Sequence, residues 1–247
     1  MPSVTEISVS QLARLVGTPD APILLDVRND EHFAENPRVI PGATRRDART
    51  GETWAREYAV QRVVVSCHHG AKLSQGVAAW LRQDGAASAE SLEGGHTAWA
   101  AAGGLLLDPA QLPRRDAHGR TVWVTRARPK VDRIACPWLL RRFVDRDAVF
   151  LFVAASEVPG VAERFQATPF DIEGVPWSHR GERCTFDTMI DDIAGGKACV
   201  AIGWSGDVNI AAGRAKENGS KDVIEAMLPS TGALIFFDTM AVTKDAK

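Results

Sequence analysis

Cysteine is scarce in this chain of 247 residues. Cys67, Cys136, Cys184 and Cys199 are the whole set, and no two stand close in sequence. A disulfide scaffold needs a far higher density. A structural zinc site of the CxxC type needs a spacing that is missing here. Long apolar runs are missing too. The longest reaches eight residues, Ala148 to Ala155, against about 20 for a membrane-spanning helix. No apolar stretch of signal-peptide form follows the first basic residue, Arg14. The expectation is a cytoplasmic protein in a reducing compartment with no membrane attachment. A strong charge of one sign is also lacking: 29 Lys and Arg against 31 Asp and Glu leave −2. That gives no general push toward nucleic acid. What is present is 45% hydrophobic residues, which excludes disorder as the main state. The length suits one large domain or two small ones.

The segment from Asp108 to Gly119 holds two prolines, four charged residues and a closing glycine, with no apolar period. It reads as a linker. The expected division is residues 1–107, a linker at 108–119, and residues 120–247. Before the linker, strand and helix signals alternate. Ser10 can cap a short helix bearing Leu12, Leu15 and Val16, stopped by Gly17. Ile23 to Leu25 and Arg62 to Ser66 read as strands buried on both faces. A helix is expected from Leu73 to Asp84, with Val77, Ala78, Trp80 and Leu81 inward. Ser91-Leu92 is a further strand, and a helix carrying Ala98 and Trp99 follows Gly94-Gly95. Units this short predict a parallel α/β sheet with helices on both faces.

In such a sheet, chemistry belongs at the carboxyl ends of strands, where helices begin. Cys67 stands there, in Cys67-His68-His69-Gly70-Ala71-Lys72-Leu73-Ser74. A loop entering a helix N-terminus aims backbone N–H groups at one spot, and the helix dipole adds to their pull on an anion. A cysteine in that cradle is a reactive thiolate. The alternative is a small buried cysteine at a strand end. The polar His-His-Gly that follows is unsuited to a core. Two histidines adjacent in sequence rarely reach one ion, so His68 and His69 read as side chains shaping an entrance.

Residues 1 to about 105 resemble a rhodanese domain. The resemblance rests on Leu25-Asp26-Val27-Arg28, Ile40-Pro41-Gly42-Ala43, Cys67-His68-His69-Gly70, and Leu92-Glu93-Gly94-Gly95 with Trp99, in that order. It implies a sulfurtransferase in which Cys67 is the nucleophile, held as a persulfide. The amides of His68, His69, Gly70, Ala71, Lys72 and Leu73 would form the anion cradle. Arg28 is a second candidate anion contact, set against a structural salt bridge. The loop departs from the family pattern by one residue. Lys72 holds the sixth position, but Leu73 intervenes before Ser74. The resemblance implies that a seven-residue loop, like that of rhodanese-like phosphatases and arsenate reductases, accommodates a tetrahedral oxyanion instead of a sulfur atom. Leu73, where related oxyanion loops carry arginine, supplies no guanidinium fork.

In the second half, Thr121 to Thr125 and Val149 to Val153 read as strands, the latter buried. Helices are expected at Pro137 to Val144, Glu157 to Ala167, Thr185 to Ile193 and Lys221 to Leu228. Pro137 would sit in a first turn and Thr185 would be an N-cap. Gly232 to Phe237 fits either a strand or a buried helix. Arg114 to Arg146 carries ten basic residues and three acids, a balance of +7. Either this is a solvated surface, or Arg126, Lys130 and Arg133 form an anion site at a strand end. Asp171, His179, Glu182, Cys184 and Asp187 mix carboxylate, imidazole and thiolate. His179, Cys184 and Asp187 are weak metal candidates, and no metal or other cofactor is expected from their spacing. Cys136 and Cys199 read as buried structural residues.

The stretch Trp123 to Phe143, with Pro169-Phe170-Asp171 and His179 to Asp187, resembles the C-terminal domain of bacterial chromate-resistance protein B. Beyond Ile193 the chain departs from that pattern, and only Phe237-Asp238 returns to it. Two functions follow as expectations. One is a sulfurtransferase, taking a small-molecule sulfur donor to a thiol or protein acceptor that the sequence does not identify. The other is a chromate or oxyanion sensor binding through Arg126 to Arg142. Direct reduction of chromate by a thiol is a third. Nucleic acid and membrane are not expected partners.

Overall fold

The computed structural model describes residues 5–128 and 130–194. The expected helix at Lys221 to Leu228, the segment Gly232 to Phe237, Phe237-Asp238 and Cys199 lie outside those residues. The first sheet uses β1 (Glu6–Ile7), β2 (Ile23–Asp26), β3 (Ala43–Arg45), β4 (Arg62–Ser66) and β5 (Ser88–Leu92). Its order is β1-β5-β4-β2-β3, parallel throughout. Around it lie α1 (Val9–Ala13), α2 (Asp30–Glu35), α3 (Gly51–Trp54), α4 (Lys72–Gln83) and α5 (Gly95–Ala101).

The two-residue period of the strands divides the core. Val63 and Val65 of β4 join Leu25, Trp54, Val77, Ala78 and Leu81 on the α3–α4 side. Val64 points the other way, with Leu24, against Leu12, Leu92 and Trp99 on the α1–α5 side. Both faces of the sheet are therefore covered, as the continuous apolar runs require.

Three local expectations are corrected here. The cap of α1 is Ser8, not Ser10. Ser8 accepts from the Gln11 amide while the Gln11 side chain accepts from the Ser8 N–H at 2.9 Å, a reciprocal box. Trp80 is 39% exposed and lies over Gly51 instead of facing inward. The helix starts at Lys72, one residue before the expected Leu73.

The second sheet is β7-β6-β8, built from β6 (Val122–Arg126), β7 (Val149–Val153) and β8 (Thr168–Pro169), again parallel. Helices α6 (Val131–Leu139), α7 (Val158–Phe165) and α8 (Thr185–Ala194) accompany it. Trp123 is fully buried among Cys136, Leu140, Phe170, Trp177, Phe186 and Met189. Val124 faces Val158 and Ala167 on the other side.

Here too there are corrections. Pro137 is the seventh residue of α6, well inside it, and the helix runs on as a π turn from Leu140 to Val144. Sequence reading missed its start because the pattern is inverted. Val131 and Ile134 are exposed, while Asp132 and Arg133 are buried. The strand β7 is half-buried, with Phe152 exposed, and among the described residues it pairs only with β6. The helix expected from Glu157 is α7, preceded by a 3-10 turn at Ala155–Glu157 and ended by Gln166 in a left-handed conformation. Thr185 is the first residue of α8, not its cap. The Asp132 carboxylate of α6 receives the N–H groups of Thr185 and Phe186, each at 3.4 Å.

The described residues belong to one compact unit. Between Leu107 and Thr121 the chain stays on the surface of the fold. Leu112 packs on the Trp123 core. The Asp108 N–H donates to the Ile193 carbonyl at 3.2 Å. Phe143 meets Gly17, and its carbonyl accepts from Gly42 at 2.6 Å.

Candidate functional site

Cys67 follows the last residue of β4 and is 5% exposed. The chain then bends through His68 to Ala71 and enters α4 at Lys72. This is the strand-end, helix-start position that the sequence reading assigned to chemistry. The turn is enforced from the side by the start of α5. Cys67 and His68 present their carbonyls to the N–H groups of His96 and Thr97 at 2.9 and 3.1 Å. The Thr97 hydroxyl adds a second bond to the His68 carbonyl at 2.9 Å.

Contact this close needs glycine on both sides. Gly70 has φ +67°, and a Cβ there would press on the Gly94 and Gly95 nitrogens at 2.6 and 2.7 Å. Gly95 has φ +60° and abuts the backbone of Cys67, His68 and Gly70. The Leu92-Glu93-Gly94-Gly95 motif is thus the mould for the Cys67 loop.

The Cys67 sulfur lies 3.2 Å from the hydroxyl of Ser74, which is fully buried on the first turn of α4. Ser74 also reaches the Ala71 carbonyl at 3.1 Å. That bond uses the single hydroxyl proton, which must turn from the Ala71 carbonyl to donate to a sulfur anion. Sequence reading took Ser74 only as the opening of a helix. The one available signal was its helical offset, which turns it back toward the loop.

Lys72 and Leu73 are exposed on the first turn of α4. His68 is largely covered. Its ring stacks on His32 of α2 at 4.4 Å between centroids and meets His69 edge-on at 4.2 Å. Its Nε2 is 3.5 Å from the Glu35 carboxylate. Burial lowers the His68 pKa, and the neighbouring His69 and His32 lower it further. The neutral form of the His68 imidazole is therefore favoured beside the loop.

Arg28 belongs to the frame. Its side chain is fully buried against Asp26, with the closest atoms 2.5 Å apart. The remaining guanidinium donors go to the carbonyls of Asn36 and Arg38, at 2.8 and 2.7 Å. This is the structural salt bridge weighed against an anion contact. His96 of α5 is buried next to it, its Nε2 3.0 Å from the Arg38 carbonyl. Burial, aided by the Arg28 charge, lowers the His96 pKa.

Below the unfolded value of about 6.5, the unfolded chain takes up a proton that the folded chain refuses. Stability is then lost as pH falls through that value. Urea midpoints at pH 7.5 and pH 5.5 are expected to differ less in His96→Gln than in the wild type, with the wild type weaker at pH 5.5.

In the second half, the candidate anion residues do not form an open basic cluster. Arg133 is buried. Its Nε stands 2.8 Å from Asp171 Oδ2, and its Nη1 donates to the carbonyls of Ala127, at 2.9 Å, and Arg128. Arg126 is half-exposed, 3.9 Å from the same carboxylate. Lys130 is exposed just before α6. Arg133 thus serves to hold the β6–α6 turn.

Of the metal candidates, His179 alone enters a ligand cluster. It meets Asp171 and Asp132, the latter missed because it stands far away in sequence within a basic stretch. Cys184 instead donates to Asp187 at 3.3 Å. Burial holds the Cys184 thiol up to about 11, so it stays protonated at neutral pH. Burial, reinforced by the charges of Asp132 and Asp171, also pushes the Cys136 thiol up. Cys67, Cys136 and Cys184 are all free thiols. Among the described residues, no helix is long and apolar enough to cross a membrane.

Two family models match separate parts of the chain. Residues 8–102 match the family described as rhodanese-like domain, and residues 123–198 match that described as ChrB, C-terminal domain. Over 97 residues the chain is 37% identical to protein ChrB of Cupriavidus metallidurans, which is 35% of this chain and 28% of that protein. Over 58 residues it is 48% identical to the putrescine-binding periplasmic protein PotF of Escherichia coli, 24% of this chain and 16% of that protein. The chain therefore spans less than a third of either relative. A rhodanese-related protein of Thermoplasma volcanium is among the similar solved structures, with 20% identity and a TM-score of 0.36 over 41% of this chain and 95% of that one. The chain thus carries a rhodanese-like domain at residues 8–102, followed by a ChrB C-terminal domain at residues 123–198.

Proposed function

We propose that this protein is a sulfurtransferase that carries sulfane sulfur on Cys67, and that it acts in chromate or heavy-metal resistance. The observation that carries the reading is the placement of the Cys67 sulfur between a strand end and the first turn of α4, with the Ser74 hydroxyl 3.2 Å away. The Cys67 thiolate attacks the sulfane sulfur of a donor such as thiosulfate. The donor's S–S bond breaks, and sulfite leaves with the electron pair. The persulfide anion is then stabilised by loop N–H groups, the helix dipole and Ser74. A thiophilic acceptor takes the terminal sulfur and returns the thiolate. Cyanide serves as a test acceptor, giving thiocyanate. Thiocyanate formation from thiosulfate and cyanide is expected in the wild type and at least about a thousandfold lower in Cys67→Ser. Equal rates in the two would dismiss the reading.

Loop width sets the choice between sulfur and a tetrahedral oxyanion in this account. Leu73 is exposed at the second position of α4, so deleting it removes little side-chain packing, and Ser74 keeps its place only if the Cys67–Ala71 loop gives up the residue. Thiosulfate turnover is expected to survive or improve, while arsenate or phosphate affinity falls. Equal losses of both would show that the Ser74 register matters and the width does not.

A further inference from the structure

A second constellation lies away from Cys67, at the junction of β8, α6 and α8. Asp132, Asp171 and His179 each bring one ligand atom within 4.8 Å of the others. His179 Nε2 is 3.6 Å from Asp132 Oδ2, and His179 Nδ1 is 3.8 Å from Asp171 Oδ1. Two ligands bound at about 2.1 Å to one tetrahedral ion stand about 3.4 Å apart. The two contacts use different ring nitrogens, so the exposed imidazole must turn until one nitrogen faces both carboxylates.

The protein holds these carboxylates in place at some cost. The Asp171 side chain is 4% exposed and that of Asp132 is 12% exposed. Two anions this close and this dry require positive charge. Asp171 receives it from Arg133 at 2.8 Å and, more distantly, from Arg126 at 3.9 Å. Arg133 pairs with Asp171, yet its buried Nε has no hydrogen-bond partner, because the 2.8 Å approach to Oδ2 lacks hydrogen-bond geometry. Asp132 has two long N–H contacts at 3.4 Å from the start of α8 and no guanidinium.

The orienting contacts, by contrast, are complete. The Thr185 hydroxyl, fully buried, donates to Asp171 Oδ1 at 3.0 Å and lies 3.4 Å from His179 Nδ1. The first turn of α8 steers Asp132. The Arg133 charge lies against Asp171 Oδ2 at 2.8 Å. Each acidic ligand is thus oriented by a neighbour that is not itself a ligand. His179 is 60% exposed at its side chain, which gives the ion a way in.

We infer that Asp132, Asp171 and His179 form a binding site for a divalent transition-metal ion. Two carboxylates and one imidazole suit a borderline ion such as Zn²⁺ or Mn²⁺. Three protein ligands leave coordination positions open to an outside molecule. The inference does not depend on the chemistry at Cys67.

The test is a Zn²⁺ titration of the reduced full chain against a chromophoric chelator. Wild type is compared with His179→Ala, Asp171→Asn and, as a control for the histidines near Cys67, His69→Ala. The expected result is one tight equivalent in the wild type. Its affinity falls at least about tenfold in His179→Ala and is unchanged in His69→Ala. Because His179 is exposed, His179→Ala is expected to keep its melting temperature without metal. This separates ligand loss from misfolding, which Asp171→Asn alone would not. No tight equivalent in the wild type, or one that His179→Ala leaves unchanged, would overturn the inference.

Discussion

Gly70→Ala is expected to destabilise the protein by roughly 3 kcal/mol and to remove sulfur loading at Cys67. The position combines two demands. Its φ of +67° lies in the left-handed region, which costs a residue with a Cβ about 1–2 kcal/mol. The added carbon would also meet backbone, the Leu92 carbonyl and the Gly94 and Gly95 nitrogens. Backbone cannot swing away as a side chain can. The loop and the α5 start must therefore separate, and with them the bonds from His96 and Thr97 to the carbonyls of Cys67 and His68. Gly76→Ala is the control, since a Cβ there meets nothing within 4 Å and the residue sits within α4. It is expected to be neutral or slightly stabilising. Chemical denaturation of both variants, with mass analysis of each after thiosulfate, checks the pair. A Gly70→Ala protein as stable and as readily loaded as the wild type would refute the moulded-loop account.

Arg28→Gln is expected to cost about 3–5 kcal/mol, the usual cost of leaving one partner of a buried ion pair uncompensated. It strands the Asp26 carboxylate and frees the carbonyls of Asn36 and Arg38 that now accept from the guanidinium. Adding Asp26→Asn is expected to recover part of the loss, because the unpaired charge goes with it. The KM for thiosulfate of the folded fraction should stay close to the wild-type value. A variant of wild-type stability with a large rise in KM would instead make Arg28 a substrate contact. The same pair of readings separates frame from site, a distinction that the Asp26-Val27-Arg28 motif does not make by itself.

Much of this arrangement is legible in the amino-acid order. The valines of β4 and the apolar stripe of α4 announce a strand and a helix, and Cys67 falls where one becomes the other. The helix α4 reads well because Val77, Ala78 and Leu81 do face inward. Trp80 misleads because a large aromatic can lie over a glycine at the surface as readily as enter a core. The second half is harder to read. Its α6 buries Asp132 and Arg133 and exposes Val131 and Ile134, so hydrophobic periodicity points the wrong way. The reason is chemical. Those two polar side chains are drawn inward by Asp171, by the N–H groups opening α8, and by the carbonyls of the β6–α6 turn. In the Asp132–Asp171–His179 cluster, Asp171 and His179 stand close in sequence, but Asp132 is brought to them by tertiary structure alone, and no local spacing encodes it. Ser74 beside Cys67 is closer in sequence, yet only the helical turn shows that its hydroxyl returns to the sulfur.

The most direct test of the central claim is the intact mass of the full chain after incubation with thiosulfate, wild type beside Cys67→Ala. The account predicts one added sulfur atom on the wild type, removed by cyanide and absent from the variant. A wild-type protein that gains no sulfur, or a Cys67→Ala protein that gains as much, would contradict it.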